Sequence, residues 1–231
     1  MTQIPQAATT GLTLGDVAPD FEARSTQGPV RLSAYQGGWV MLFAHPADFT
    51  PVCTSEFVAL ARLQDDFAMA GCSLIGVSVD SIFSHLAWLR DIETHFSVRI
   101  DFPVIEDPSL AISRAYGMLG PHAGSSASVR ATVLVDPHGV VRLMTHYPLT
   151  LGRDFNELLR CLVGLQESDR LGCVLPAGWR PGDPALAPAP EIHCSTDHAP
   201  AAGNDVLWYY RPFASEGSQG AMKTKSGGKN D

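Results

Sequence analysis

Trp39-Val-Met-Leu-Phe-Ala44 is an unbroken apolar run, the signature of a strand buried on both faces. A strand of that kind needs cover above and below, which points to a sheet layered between helices. The next segment supplies a helix start. Thr50 suits the N-cap, Pro51 falls at the first helical position where a missing N–H costs nothing, and Leu60, Leu63 and Phe67 recur at helical spacing. Cys53 therefore lands in the first turn. Unpaired N–H groups and the positive end of the helix dipole stabilise an anion there, which favours the thiolate, the nucleophilic form of cysteine. A soft thiolate beside a Thr hydroxyl is suited to attack on a peroxide O–O bond.

Around this unit, strand and helix patterns alternate. Phe21–Ser25 and Pro29–Ser33 flank Gln27-Gly28 as a hairpin. After the Cys53 helix, with Gly71 as its C-cap, Cys72–Val79 reads as a second buried strand. Ser84–Phe96 reads as a helix with Leu86, Leu89 and Ile92 among its apolar positions, and Phe102–Ile105 as a short strand. Asp107-Pro108 opens a helix running through Tyr116, and small residues fill the loop 120–128. The strands Ala131–Val135 and Val140–Thr145 turn at Asp136–Gly139, and Asp154–Leu165 is the last amphipathic helix. The expected fold class is α/β, a central mixed sheet flanked by helices, with a C-terminal extension.

Beyond Leu171 the composition shifts to Pro, Gly and Ala, which excludes helix or core strand. Val206-Leu-Trp-Tyr-Tyr-Arg-Pro-Phe213 is too aromatic to be left in water. The domain reading is thus a core over 12–168, an arm over 169–213 and a disordered tail over 214–231.

A formal net charge of -8 argues against a broad nucleic-acid surface. No apolar run reaches the ~18 residues needed to span a bilayer, and no basic leader precedes an apolar core. The 5 cysteines form no Cys-x-x-Cys and no regular framework, so a reducing cytoplasm is the simplest placement. His193-Cys194 with His198 has no second cluster at ligand spacing. Neither a metal nor a cofactor is expected.

Pro46, Thr50 and Cys53 together spell Pro-x-x-x-Thr-x-x-Cys, preceded by His45. With Gly15–Phe21, Tyr116-Gly-Met118, Arg130 before Thr132–Asp136, Tyr147-Pro148 and Gly152–Phe155, the chain resembles a peroxiredoxin of the one-cysteine type over residues 12 to 213. The resemblance implies a thioredoxin-like fold and reduction of hydrogen peroxide and organic hydroperoxides through a Cys53 sulfenic acid. It implies catalytic roles for Thr50 and Arg130 on the departing oxygen, a shielding role for Pro46 and an auxiliary one for His45. It also implies an external thiol as reductant and a C-terminal arm at a homodimer interface, with higher assembly open. Arg211 stands where some archaeal members carry a cysteine, which favours the one-cysteine scheme. Cys72 and Cys161 read as core, while Cys173 and Cys194 remain possible resolving thiols. A thiol–disulfide oxidoreductase would need a Cys-x-x-Cys. A peroxide sensor or chaperone-like protein switched by Cys53 oxidation is the alternative that turnover would separate.

Overall fold

The computed structural model describes residues 11–119, 128–189, 207 and 209–214 of the 231-residue chain. The described residues divide into two compact units, one ending at Leu159 and one beginning at Arg160.

The first unit is built on a 7-stranded mixed sheet. Its strands are β1 (Glu22–Ser25), β2 (Gly28–Arg31), β3 (Trp39–Ala44), β4 (Cys72–Ser78), β5 (Val104–Glu106), β6 (Arg130–Val135) and β7 (Val141–Tyr147), in the order β2-β1-β5-β4-β3-β6-β7. The helices α1 (Pro51–Met69) and α2 (Ile82–Phe96) make the crossovers from β3 to β4 and from β4 to β5, and those strands pair in parallel. β1–β2 and β6–β7 pair antiparallel as hairpins, and β6 lies antiparallel to β3. All of β3 is buried, as its composition requires.

Alternation along β3 divides the core. Val40, Leu42 and Ala44 pack with Ile75, Val77, Ile105, Val133 and Tyr116. Phe43 faces the other way, into an aromatic group with Phe57 of α1, Phe102 and Phe155 at centroid distances of 5.6, 5.7 and 6.2 Å. Gly76 of β4 makes room for this group: a Cβ there would sit 3.4 Å from the Phe43 ring and 3.5 Å from Phe57.

Several local expectations need adjustment. The buried face of α2 is Ile82, His85, Trp88 and Ile92, with Leu86 49% exposed. The helix after Asp107 shrinks to α3 (Ala111–Ala115), because the Asp107 carboxylate accepts from the Ile112 and Ser113 N–H groups while Leu110 adopts φ 60°. The last helix, α4 (Phe155–Leu171), runs six residues beyond Leu165, to the point where Gly172 takes φ 61°. The loop 120–127 lies outside the described residues.

In the second unit, Trp179 is buried and its indole N–H donates to the Asp183 carbonyl. Cys173 is also buried, whereas Cys161 is only half-buried and not the core residue expected. Strands β8 (Ala185–Leu186) and β9 (Pro212–Phe213) pair antiparallel. Tyr209, Tyr210 and Phe213 remain 53%, 48% and 39% exposed. Cys194, His193 and His198 lie outside the described residues. No helix among the described residues is long and apolar enough to cross a membrane.

Candidate active site

The turn from β3 into α1 carries the candidate residues. Thr50 occupies the N-cap with extended backbone (φ -109°, ψ 149°), and Pro51 opens the helix. The Thr50 hydroxyl, however, does not cap it. It donates to the Ala47 carbonyl at 2.9 Å. Thr50 thus leaves the helix N-terminus without a side-chain cap, and the helix dipole there favours negative charge at Cys53, two residues into the helix. Cys53 itself has no exposed surface.

From β6, the Arg130 guanidinium reaches the same point. Nη1 lies 3.4 Å from Cys53 Sγ and 2.8 Å from Glu56 Oε2. Nε and Nη2 both donate to the Leu149 carbonyl, at 3.1 and 2.9 Å, which fixes the plane of the group. Glu56 lies one helical turn beyond Cys53 and is gripped again by Arg153, whose backbone N–H, Nε and Nη2 donate to it at 2.8, 2.9 and 2.8 Å. Arg153 Nη1 donates to Ala131 O and Thr132 Oγ1. Burial pushes the Glu56 carboxyl up, but the hydrogen bonds and charge of Arg153, with the charge of Arg130, outweigh it and hold the group below its ordinary range. The buried set is thus two guanidinium groups against one carboxylate. One positive charge is left in excess beside Cys53, and the arrangement suits a negative sulfur or a developing oxyanion there.

The sequence alone gives neither Glu56 nor Arg153 a role, although Arg153 lies in the Gly152–Phe155 stretch. The available signal was a carboxylate three residues after Cys53, on the helix face that also carries Phe57 and Leu60.

His45 takes a different direction. Its Nε2 lies 2.8 Å from Asp48 Oδ1, and the other oxygen of Asp48 lies 2.8 Å from Nδ1 of His85, on α2. Both imidazoles are fully buried, and the His45 ring packs against Phe57 and Trp88. The Trp88 indole N–H donates to Thr54 Oγ1, the residue after Cys53. Donor atoms of His45, Asp48 and His85 lie within 4.8 Å of one another, a spacing a cation could use. Both carboxylate oxygens already meet an imidazole nitrogen at hydrogen-bond distance, so a metal would have to displace those ring protons.

Comparison with known proteins agrees with this geometry. Residues 14–144 match the AhpC/TSA family and residues 164–192 match the C-terminal domain of 1-Cys peroxiredoxin. A peroxiredoxin of Thermoplasma volcanium is 44% identical over 198 residues, 86% of this chain and 97% of that protein. One from Aquifex aeolicus is 47% identical over 169 residues, 73% of this chain and 76% of that protein. Among solved structures, a yeast mitochondrial 1-Cys peroxiredoxin, studied for thiol resolution via the glutathione/thioredoxin systems, superposes with a TM-score of 0.78 at 35% identity, covering 88% of this chain and 100% of that one. A helix-borne cysteine facing a buried arginine, on a mixed sheet shared with these relatives, makes the chain a member of the AhpC/TSA family of peroxiredoxins, which are thiol-dependent peroxidases.

Proposed function

We propose that Cys53 is the nucleophile of this peroxidase, and the observation that carries the reading is Arg130 Nη1 at 3.4 Å from Sγ at a helix N-terminus. The thiolate attacks one oxygen of ROOH, the S–O bond forms as O–O breaks, and RO⁻ leaves and takes a proton to become ROH. Arg130 stabilises the departing oxygen. The proton of Thr50 is committed to Ala47 O, so its hydroxyl presents lone pairs to the peroxide O–H and lines up the O–O bond. Pro46 shields the pocket, and His45 serves Cys53 in an auxiliary way.

Two external thiols then return the sulfenic acid to Cys–SH, releasing water and leaving as a disulfide. Among the described residues Cys53, Cys72 and Cys173 stand outside any disulfide, in keeping with such a cycle and with a reducing cytoplasm. The exposed Tyr209, Tyr210 and Phe213 support an arm, within 169–213, that buries itself in a homodimer.

Mass spectrometry after one equivalent of hydrogen peroxide, with dimedone trapping, tests the reading in wild type and Cys53→Ser. An adduct confined to Cys53, with sustained turnover on added thiol, is expected. A Cys53–Cys173 or Cys53–Cys194 disulfide would make the enzyme two-cysteine, turnover halting after one peroxide would favour a sensor, and an unmodified Cys53 would overturn the assignment.

A further inference from the structure

The buried His45–Asp48–His85 group is not used by the chemistry above except through His45. We propose that His85 and Asp48 are positioning residues: the Asp48 carboxylate, held on its far oxygen by His85, fixes the His45 proton on Nε2 and leaves Nδ1 as a bare acceptor in the segment that carries Pro46 and Thr50. This rests on His45 assisting Cys53, and it names what sets the state in which His45 does so.

The proton assignment follows from what each group can do. Burial alone would push the Asp48 carboxyl up, but hydrogen bonds from His45 and His85 dominate and hold it well below the carboxylate range. An ionised carboxylate only accepts, so the nitrogens facing it, His45 Nε2 and His85 Nδ1, must both donate. Burial pushes the His45 imidazole down more than Asp48 pulls it up, so the ring is neutral near pH 7 and carries a single proton. That proton is on Nε2. Nδ1 is then a lone pair, and it is one of the buried polar atoms without a partner among the described residues. An unmet buried acceptor is unfavourable, and the ring stays in this orientation because its surroundings over-determine it.

Those surroundings are specific. The His45 N–H donates to Val77 O and its carbonyl accepts from Ser128 Oγ. The Asp48 N–H donates to Asp80 Oδ2, which also accepts from Ser78 Oγ at the end of β4. His85 reaches in from α2, 37 residues along the chain from Asp48. The charged or titratable groups acting on His45 are Asp48, His85 and Asp80, and its other neighbours are the rings of Phe57 and Trp88. Between Asp48 and Thr50, Phe49 holds φ 54°, a left-handed conformation unfavourable for a non-glycine residue. Clamps at 45 and 48 therefore secure a turn that would otherwise relax, and His85 is the clamp supplied from outside it.

The experiment uses the full reduced chain labelled with ¹⁵N-histidine, and reads the His45 tautomer from long-range ¹H–¹⁵N correlations, assigned by its loss in His45→Gln. The Nε2–H tautomer is expected at pH 7. Two variants separate a donor from mere bulk: His85→Asn keeps an N–H near the position of Nδ1, and His85→Leu removes it. His85→Leu should disturb the His45 signal and slow the reaction with hydrogen peroxide by up to about 100-fold, whereas His85→Asn restores most of both. An Nδ1–H tautomer in the wild type, an unchanged rate in His85→Leu, or equal impairment in His85→Asn would each overturn the proposal. Should His85→Leu fail to fold, the wild-type tautomer and His85→Asn decide it. Turnover persisting in Cys53→Ser would remove the catalytic reading instead, and leave the tautomer result standing.

Discussion

Replacing Glu56 by Gln keeps the shape of the side chain and removes one charge from the centre of the site. In the native protein that carboxylate, 2% exposed, accepts four hydrogen bonds, one from Arg130 and three from Arg153. An amide oxygen can accept some of them, but its NH₂ group faces a guanidinium donor and two buried cations lose their counter-ion. Breaking a buried pair in this way costs about 3–5 kcal/mol. At about 2–4 °C per kcal/mol for a chain of this size, the melting temperature should fall by about 6–20 °C. Urea unfolding at pH 7 gives the free-energy loss directly. The acid limb supplies a second check with a fixed sign. The folded carboxyl is held below its ordinary value, so its stabilisation is complete above the unfolded value of about 4.3 and is lost as pH falls through the lower folded value. The gap between wild type and Glu56→Gln should therefore begin to close below about pH 4.3. A loss at pH 7 of less than about 1 kcal/mol, or a gap unmoved by acid, would refute Glu56 as the buried counter-ion.

Thr50→Val removes a part-buried hydrogen bond worth about 1 kcal/mol and the lone pairs offered to peroxide, so it should slow peroxide reduction far more than it destabilises, while Thr50→Ser retains both; equal rates in Val and Ser would exclude a role for the hydroxyl. Cys72, whose thiol burial pushes up to about 12, should resist iodoacetamide at pH 8 in the native protein and react on unfolding, as peptide mapping would show. His45, a base with a depressed folded value, contributes stability that is present above about pH 6.5 and lost as pH falls, at up to about 1.4 kcal/mol per pH unit. Urea midpoints at about pH 7.5 and 5.5 should diverge less in His45→Gln than in wild type, and an equal divergence would exclude this origin.

How much of this was legible depended on whether the signal was local. Trp39–Ala44 announces a doubly buried strand by composition alone, and Thr50-Pro51 announces a helix, so the placement of Cys53 in the first turn could be read directly. The side-chain chemistry of Thr50 could not, because donating to a carbonyl three residues back is an alternative to capping that the residue type allows equally. Arg130 carried a motif match, but its partners Glu56 and Arg153 come together only through the packing of β6, α1 and the segment before α4, 74 and 97 residues apart in sequence from Glu56. The face of α2 was misjudged for a related reason. Leu86 reads among the apolar positions and His85 does not, yet a carboxylate at position 48 lets the histidine be buried while Leu86 stays 49% exposed.

Full burial of Cys53 has a consequence for the cycle. Oxidation adds an oxygen atom to a side chain with no exposed surface, in a core that also packs Phe57 and Trp88 tightly, and overpacking of this kind costs typically about 1–3 kcal/mol. It also puts an S–OH where Arg130 Nη1 met the sulfur at 3.4 Å, while Glu56 retains both guanidinium groups. The ground state is therefore destabilised at one end of α1 only, where the uncapped first turn has few bonds to break. A thiol must contact sulfur in line with the S–O bond, and for a side chain with no exposed surface the expected route is opening of that turn. Hydrogen exchange over 46–58, followed by mass spectrometry in the reduced and the sulfenic form, should show faster exchange after oxidation, with α2 and the strands unchanged. Equal protection in both forms would mean that the reductant reaches Cys53 without opening, and the packing argument would fail.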